Sequence, residues 1–159
     1  MRGTVLYGTG DIRFEDTLEP KVTKPSDAII PLAATCVCGS DLWSYRGISP
    51  VNQPTAMGHQ HCGIVEGGGS AVKTVKPGQF VIGPFFASDN TCPHCNFGYQ
   101  SSCHQREFVG GAQAPLLRVA LADGRFSFVT HRLRHLLRLR KVRARGSPVV
   151  QIREIEAPV

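Results

Sequence analysis

Three of the chain's six cysteines, Cys92, Cys95 and Cys103, fall within twelve residues. Cys92 and Cys95 form a C-x2-C pair, which lets two thiolates on a tight turn address one ion. Zinc favours four soft or borderline donors in a tetrahedron, with each sulfur at roughly 2.3 Å. Counting back from Cys92 by the same x2 step reaches Asp89, a carboxylate that zinc accepts. The candidate quartet is Asp89, Cys92, Cys95 and Cys103, spaced x2, x2 and x7. His94 competes for the fourth place, although it stands between two ligating cysteines and would have difficulty folding back. The competing chemistry is a redox C-x-x-C, which normally opens a helix near a βαβ pattern. Pro93, Gly98 and the polar run at 99–102 read as a loop instead. Four protein ligands close a zinc site, so no position remains for substrate and the lobe serves the fold.

Cys38 and His59 form a second constellation. They lie twenty-one residues apart, each on a turn beside a strand and next to a glycine, Gly39 or Gly58, that permits close backbone approach. Taken alone, such a pair in a β-rich domain is more often packing. Cys36 is expected to point away from Cys38 through strand alternation. Cys62 reads as core, and His61 and His104 as surface residues or supports near the two metal regions.

The elements that must position these groups are mostly strands. Residues 5–8, 12–16 and 27–36 are apolar or alternating runs bounded by Gly, Asp and Pro. Pro20, Pro25 and Pro31 exclude a long helix there. Gly39, Ser40 and Asp41 supply turn and N-cap chemistry for a short helical turn through Leu42, Trp43 and Tyr45. Further strands are expected within 57–70, 75–85 and 110–124, with turns at Pro77-Gly78 and Asp123-Gly124. The fold class expected is mainly β with short helices, a barrel-like domain carrying a metal-binding lobe.

Composition sets the outer bounds. A chain of 159 residues with 42% hydrophobic content can bury one modest core. No apolar run reaches the length of a membrane span. The start, MRGTVLYGTGDIRFED, has no secretory h-region. Clustered cysteines without such a leader favour reduced, metal-binding thiols and a cytoplasmic location. The net charge of +6 is unevenly spread. Residues 1–124 carry nine basic and ten acidic side chains, whereas residues 125–159 carry nine and two. A boundary is therefore expected at 124.

Four ordered motifs now carry a family resemblance: C-G-S-D at 38–41, G-H-x-x-x-G-x-V at 58–65, V-K-P-G-x-x-V at 75–81 and the cysteine lobe. Their order and spacing are similar to those of zinc-containing medium-chain alcohol dehydrogenases. The resemblance covers residues 1–124, the N-terminal chaperonin-10-like (GroES-like) catalytic domain, a partly open β-barrel. It implies that Cys38 and His59 are ligands of a catalytic zinc and that Ser40 takes the alcohol proton. It places Asp41 as a carboxylate beside that zinc, and Asp89, Cys92, Cys95 and Cys103 as the structural-zinc set. The implied reaction is hydride transfer between an alcohol or aldehyde and NAD(P), with zinc polarising the substrate oxygen.

The sequence departs from that pattern in several places. Trp43 stands where many members have a relay histidine. Gln60 replaces the Glu that usually follows the ligand histidine, keeping hydrogen bonding near the metal but removing a charge. Asp89 stands where the first lobe cysteine is usual, a harder ligand than thiolate. The third catalytic ligand and a Rossmann domain with G-x-G-x-x-G are expected to be missing. GTGDIR (8–13) and GGGSAV (67–72) lack the third glycine and read as turns. The chain is thus read as a catalytic-domain fragment cut short after 124 and inactive alone.

Residues 130–146 interleave nine basic or histidine positions with Leu133, Leu136, Leu137, Leu139 and Val142. Three readings stand for 125–159. One is the product of a shifted reading frame in GC-rich coding sequence. The second is a solvated or partly helical tail. The third is an arm for nucleic acid or an anionic surface. Nucleic acid is disfavoured because no aromatic is interleaved with the basic run for stacking. The competing function class is a non-catalytic, zinc-stabilised β module bearing that arm.

Overall fold

The computed structural model describes residues 1–124 and the backbone of a short strand at Ser127–Phe128; the rest of the 125–159 tail, with the readings made for it, lies outside the described residues. Among the described residues the architecture is mainly β with two very short α-helices and a 3-10 turn at Gln100–Ser102, as the turn-punctuated sequence implies. In chain order the strands are β1 (Arg2–Gly8), β2 (Asp11–Asp16), β3 (Ala28–Thr35), β4 (Thr55–Ala56), β5 (His61–Ile64), β6 (Gly67–Gly68), β7 (Phe80–Gly83), β8 (Phe86–Ala87), β9 (Glu107–Phe108), β10 (Leu116–Val119) and β11 (Ser127–Phe128). Helix α1 spans Asp41–Tyr45 and α2 spans Pro93–Asn96. No helix among the described residues is long and apolar enough to cross a membrane.

Three antiparallel sheets result: β2-β1-β4, the path β10-β3-β5-β7-β11 with β6 added on β3, and β8-β9. They do not close into a ring among the described residues. The central strand β3 is shared. Its first half, Ala28–Pro31, pairs with β10, and its second half pairs with β5. Between them the β3–β5 register slips at Leu32/Ala34, a bulge that bends the strand so that its halves serve different neighbours. The bulge presses the Pro31 carbonyl against β5, where a Cβ on Gly63 would lie 2.2 Å from that oxygen. Only glycine fits this crossing.

The core is a buried cluster that includes Ile30, Val65, Val75, Val81, Val109, Leu117 and Val119. The β1 sheet is tied to it by backbone bonds from Thr4 N to Gln113 O (3.0 Å) and from Met57 N to Thr4 O (2.9 Å). One buried charge anchors β3 to β10. Asp27, fully buried, accepts hydrogen bonds from Thr23 N, Thr23 Oγ1, Lys24 N and Arg118 Nη1, at 2.8–3.0 Å. Burial alone would raise its pKa, but the Lys24 amide, Arg118 and Thr23 outweigh it and hold the carboxyl below its ordinary value. With the folded pKa depressed, the stability it contributes is complete above the unfolded value and lost as pH falls through the folded one. Asp27→Ala is expected to cost about 3 kcal/mol near neutrality, the low end for breaking a buried pair because Arg118 reaches water. The same change should flatten the acid limb below about pH 4, which thermal melts across pH would read.

Candidate metal centres

The pairing of β3 with β5 explains why residues twenty-one apart meet. Thr35, the last residue of β3, registers with His61, the first of β5. Cys38, just past the end of β3, and His59, just before the start of β5, therefore lie at the same end of the pair. Thr35 Oγ1 ties this end by donating to Gln60 O at 2.8 Å. Gly58 takes a positive φ of 87°, and a Cβ there would meet the Gln113 amide nitrogen at 2.8 Å, so the approach to His59 requires glycine.

Around His59 the polar groups form one connected set. Asp41 Oδ1 lies 3.2 Å from His59 Nδ1, while Asp41 Oδ2 accepts the Cys38 amide at 2.8 Å. Ser40 Oγ lies 3.2 Å from His59 Nε2. A carboxylate on Nδ1 fixes the proton there and leaves the Nε2 lone pair facing Ser40. The sequence makes Gly39, Ser40 and Asp41 capping residues of α1. Ser40 does occupy the N-cap, but its hydroxyl makes no capping bond and turns to His59 instead. The Cys38 thiol is lowered to about 7, first by the Ser40 hydroxyl, then by the Ser40 amide and His59. His59 and Asp41 are buried, and Phe85 and Phe108 pack against the imidazole with centroids at 6.1 and 5.7 Å. Those two aromatic walls escaped sequence reasoning. Trp43, in α1, is more than half exposed.

Several neighbours stand differently from expectation. Cys36 lies beyond the end of β3, so alternation does not orient it; its thiol meets the Gln60 side-chain oxygen. Gln60 thus spends its amide on Cys36. His61 is buried, not on the surface, because alternation along β5 turns His61 and Gly63 inward and Ile64 outward. Its ring fills the place of the missing side chain of Gly83, where a Cβ would sit 2.1 Å from Nε2. Burial pushes its imidazole down to about 4. Cys62, expected in the core, is only half-buried on the other face of the same strand.

The second centre gathers around α2. Asp89, Cys92, Cys95 and Cys103 each offer a donor atom, and all four lie within 4.8 Å of one another. Cys92 Sγ and Cys103 Sγ are 4.0 Å apart. Two sulfurs on one tetrahedral zinc stand about 3.8 Å apart, so this edge already has the size of the ion's shell. Asp89 Oδ1 accepts the Thr91 and Cys92 amides at 2.9 and 3.1 Å, which hold its carboxyl well below the usual range. Its other oxygen keeps lone pairs for a cation. Cys103 Sγ accepts amides from Gln105 at 3.3 Å and Asp89 at 3.4 Å. Burial, then Cys92, Asp89 and Cys103, push the Cys95 thiol up to about 12. Four such donors can ionise together only around a cation, and in that sense the set fits zinc. His94 is not in the quartet; it is exposed and stacks on His104. The segment expected as a loop contains the single turn α2, with Cys92 as N-cap and Pro93 at its start. Helix absence therefore does not separate metal from redox chemistry here; what favours a metal is that Asp89 and Cys103 converge on the pair.

Relatives carry the same stretch. The alcohol dehydrogenase GroES-like domain matches residues 24–126. A zinc-type alcohol dehydrogenase B of Aspergillus flavus is 34% identical over 129 residues, covering 78% of this chain and 30% of that protein. A medium-chain reductase/dehydrogenase of an Acremonium species is 38% identical over 129 residues, covering 77% and 44%. Among solved structures, an alcohol dehydrogenase from Thermus sp. ATN1 superposes with a TM-score of 0.75 at 30% identity, covering 80% of this chain and 40% of its own. The chain thus spans 30–44% of the length of these relatives. With four ordered motifs, a bent, unclosed β fold and this match over most of its length, the chain belongs to the GroES-like domain family of zinc-type alcohol dehydrogenases.

Proposed function

We propose that the chain is the zinc-binding, N-terminal catalytic portion of an NAD(P)-dependent alcohol dehydrogenase, with Cys38 and His59 contributing two ligands to the reactive metal. The observation that carries this reading is the placement of His59. Its Nδ1 lies 3.2 Å from Asp41 Oδ1, its Nε2 faces Ser40 at 3.2 Å, and the partially acidified Cys38 thiol meets Ser40 and His59 itself. A histidine whose far nitrogen is fixed by a carboxylate is the usual form of a zinc-binding imidazole. When bound, zinc supplies Lewis acidity toward an alcohol or aldehyde oxygen.

The chain's own residues then do the rest of what this domain contributes. Cys38 and His59 hold the metal, Asp41 fixes the geometry of both, and Phe85 and Phe108 keep the His59 side of the site apolar. Ser40 Oγ stands where it can accept a proton from a bound hydroxyl. Beyond Ser40, Trp43 offers only an N–H donor, so the proton leaves through water. Two ligands are fewer than the three a catalytic zinc uses, so turnover requires a third ligand and a nicotinamide site from elsewhere in a complete enzyme.

A chimera tests this. Residues 1–124 are placed in the Aspergillus relative in exchange for its matching segment. NAD(P)-dependent alcohol oxidation is expected in the chimera, and Ser40→Ala should lower kcat by about 10²-fold. The 159-residue chain alone is expected to show none. Turnover by the isolated chain, or a folded, active chimera indifferent to Ser40→Ala and Cys38→Ala, would contradict the proposal.

A further inference from the structure

The cysteine lobe carries two histidines that the quartet does not use. His94 lies between Cys92 and Cys95, and His104 follows Cys103. Both are exposed, and their rings meet edge to face, with centroids 4.4 Å apart and planes at 83°. They come together because α2 projects His94 outward while the return of the chain through Cys103 brings His104 beside it. The join to the quartet is direct, since His104 follows Cys103, whose Sγ lies 4.0 Å from Cys92 Sγ. Within the quartet, Cys95 and Cys103 are buried whereas Asp89 and Cys92 are only half-buried. An incoming ion therefore meets Asp89 and Cys92 first, and His94 and His104 are exposed on the same lobe, each adjacent in sequence to a quartet cysteine.

We propose that His94 and His104 form a weak, two-imidazole site for borderline divalent cations, through which zinc reaches the Asp89–Cys92–Cys95–Cys103 quartet. Imidazole is a good donor to zinc, nickel and copper ions, and two imidazoles completed by water bind reversibly. Ring centroids 4.4 Å apart put both imidazoles within reach of one ion, and the contact already keeps the pair together. The pair offers intermediate donors beside stronger ones, so an ion taken up there gains by moving inward to three thiolates. This inference rests on the quartet being a zinc site.

The test uses the full 159-residue chain, reduced and stripped of metal, beside the variant His94→Asn/His104→Asn. Filling of the quartet by zinc is followed as protection of cysteine thiols from alkylation. Both proteins should reach the same final protection and the same melting temperature. The variant should fill about tenfold more slowly at limiting zinc, the low end of what losing a supporting imidazole costs a metal site. Nickel ion added to the zinc-filled chain should broaden the His94 and His104 ring resonances, and that uptake should be missing from the variant. The difference between the proteins isolates this pair from His59, His61, His131 and His135. Equal filling rates together with equal nickel uptake would overturn the proposal. Cysteines that zinc never protects in either protein would overturn the quartet reading, and this inference with it.

Discussion

Replacing Cys103 with serine is expected to lower the melting temperature of the domain by more than about 10 °C, which corresponds to about 2–3 kcal/mol for a domain of this size. Cys103 is buried at 4% exposure, accepts two amides at its sulfur and stands 4.0 Å from Cys92. A serine oxygen is a harder, weaker zinc donor and does not reach as far. Three remaining ligands would leave the lobe open, and its folding energy is largely metal-binding energy. The lobe has little else to hold it: α2 is one turn, and β8 and β9 share only two residue pairs. A chelator should reproduce the effect in the parent and add little to the variant. Equal melting of variant and parent in zinc would refute a structural role for the lobe.

The second large effect concerns chemistry. Asp41→Asn, made in the chimera described above, is expected to lower alcohol-oxidation activity by about 10–100-fold with little loss of stability. Asp41 uses both oxygens: Oδ1 stands 3.2 Å from His59 Nδ1, and Oδ2 accepts the Cys38 amide. Asparagine offers one acceptor and one N–H₂ donor, so one of these N–H groups would face another donor. Either His59 loses the tautomer that frees Nε2, or the turn that presents Cys38 is unlatched. Metal affinity measured at the Cys38–His59 site should fall in parallel with activity. A variant with unchanged affinity and rate would show that Asp41 supports only the fold.

The two centres differ in how far they could be read from the chain. The quartet is local: its four residues span fifteen positions, and their spacing already limits the turns that can join them. Cys38 and His59 became a site only through the motifs around them, because what joins them is the β3–β5 register. The burial of His61 was hidden for the same reason. Its burial depends on β5 pairing with β7, which sets it against Gly83, a partner that no short window contains. Ser40 was legible as an N-cap by type, but the pull of His59 across the turn overrides the local preference. Short strands bounded by Gly and Pro gave the β class reliably, since those residues act within their own turns. The bulge in β3 and the Phe85 and Phe108 walls depend on distant pairing and were not visible.

On the proposed reading, a closed lobe serves the fold and an open pair, Cys38 and His59, serves chemistry. Cobalt titration of the reduced, metal-free chain tests that division most directly, because tetrahedral thiolate coordination gives intense charge-transfer bands. One tight equivalent should bind with bands of a three-sulfur site, unchanged by Cys38→Ala and abolished by Cys92→Ser. Bands that vanish with Cys38→Ala but survive Cys92→Ser would contradict the account.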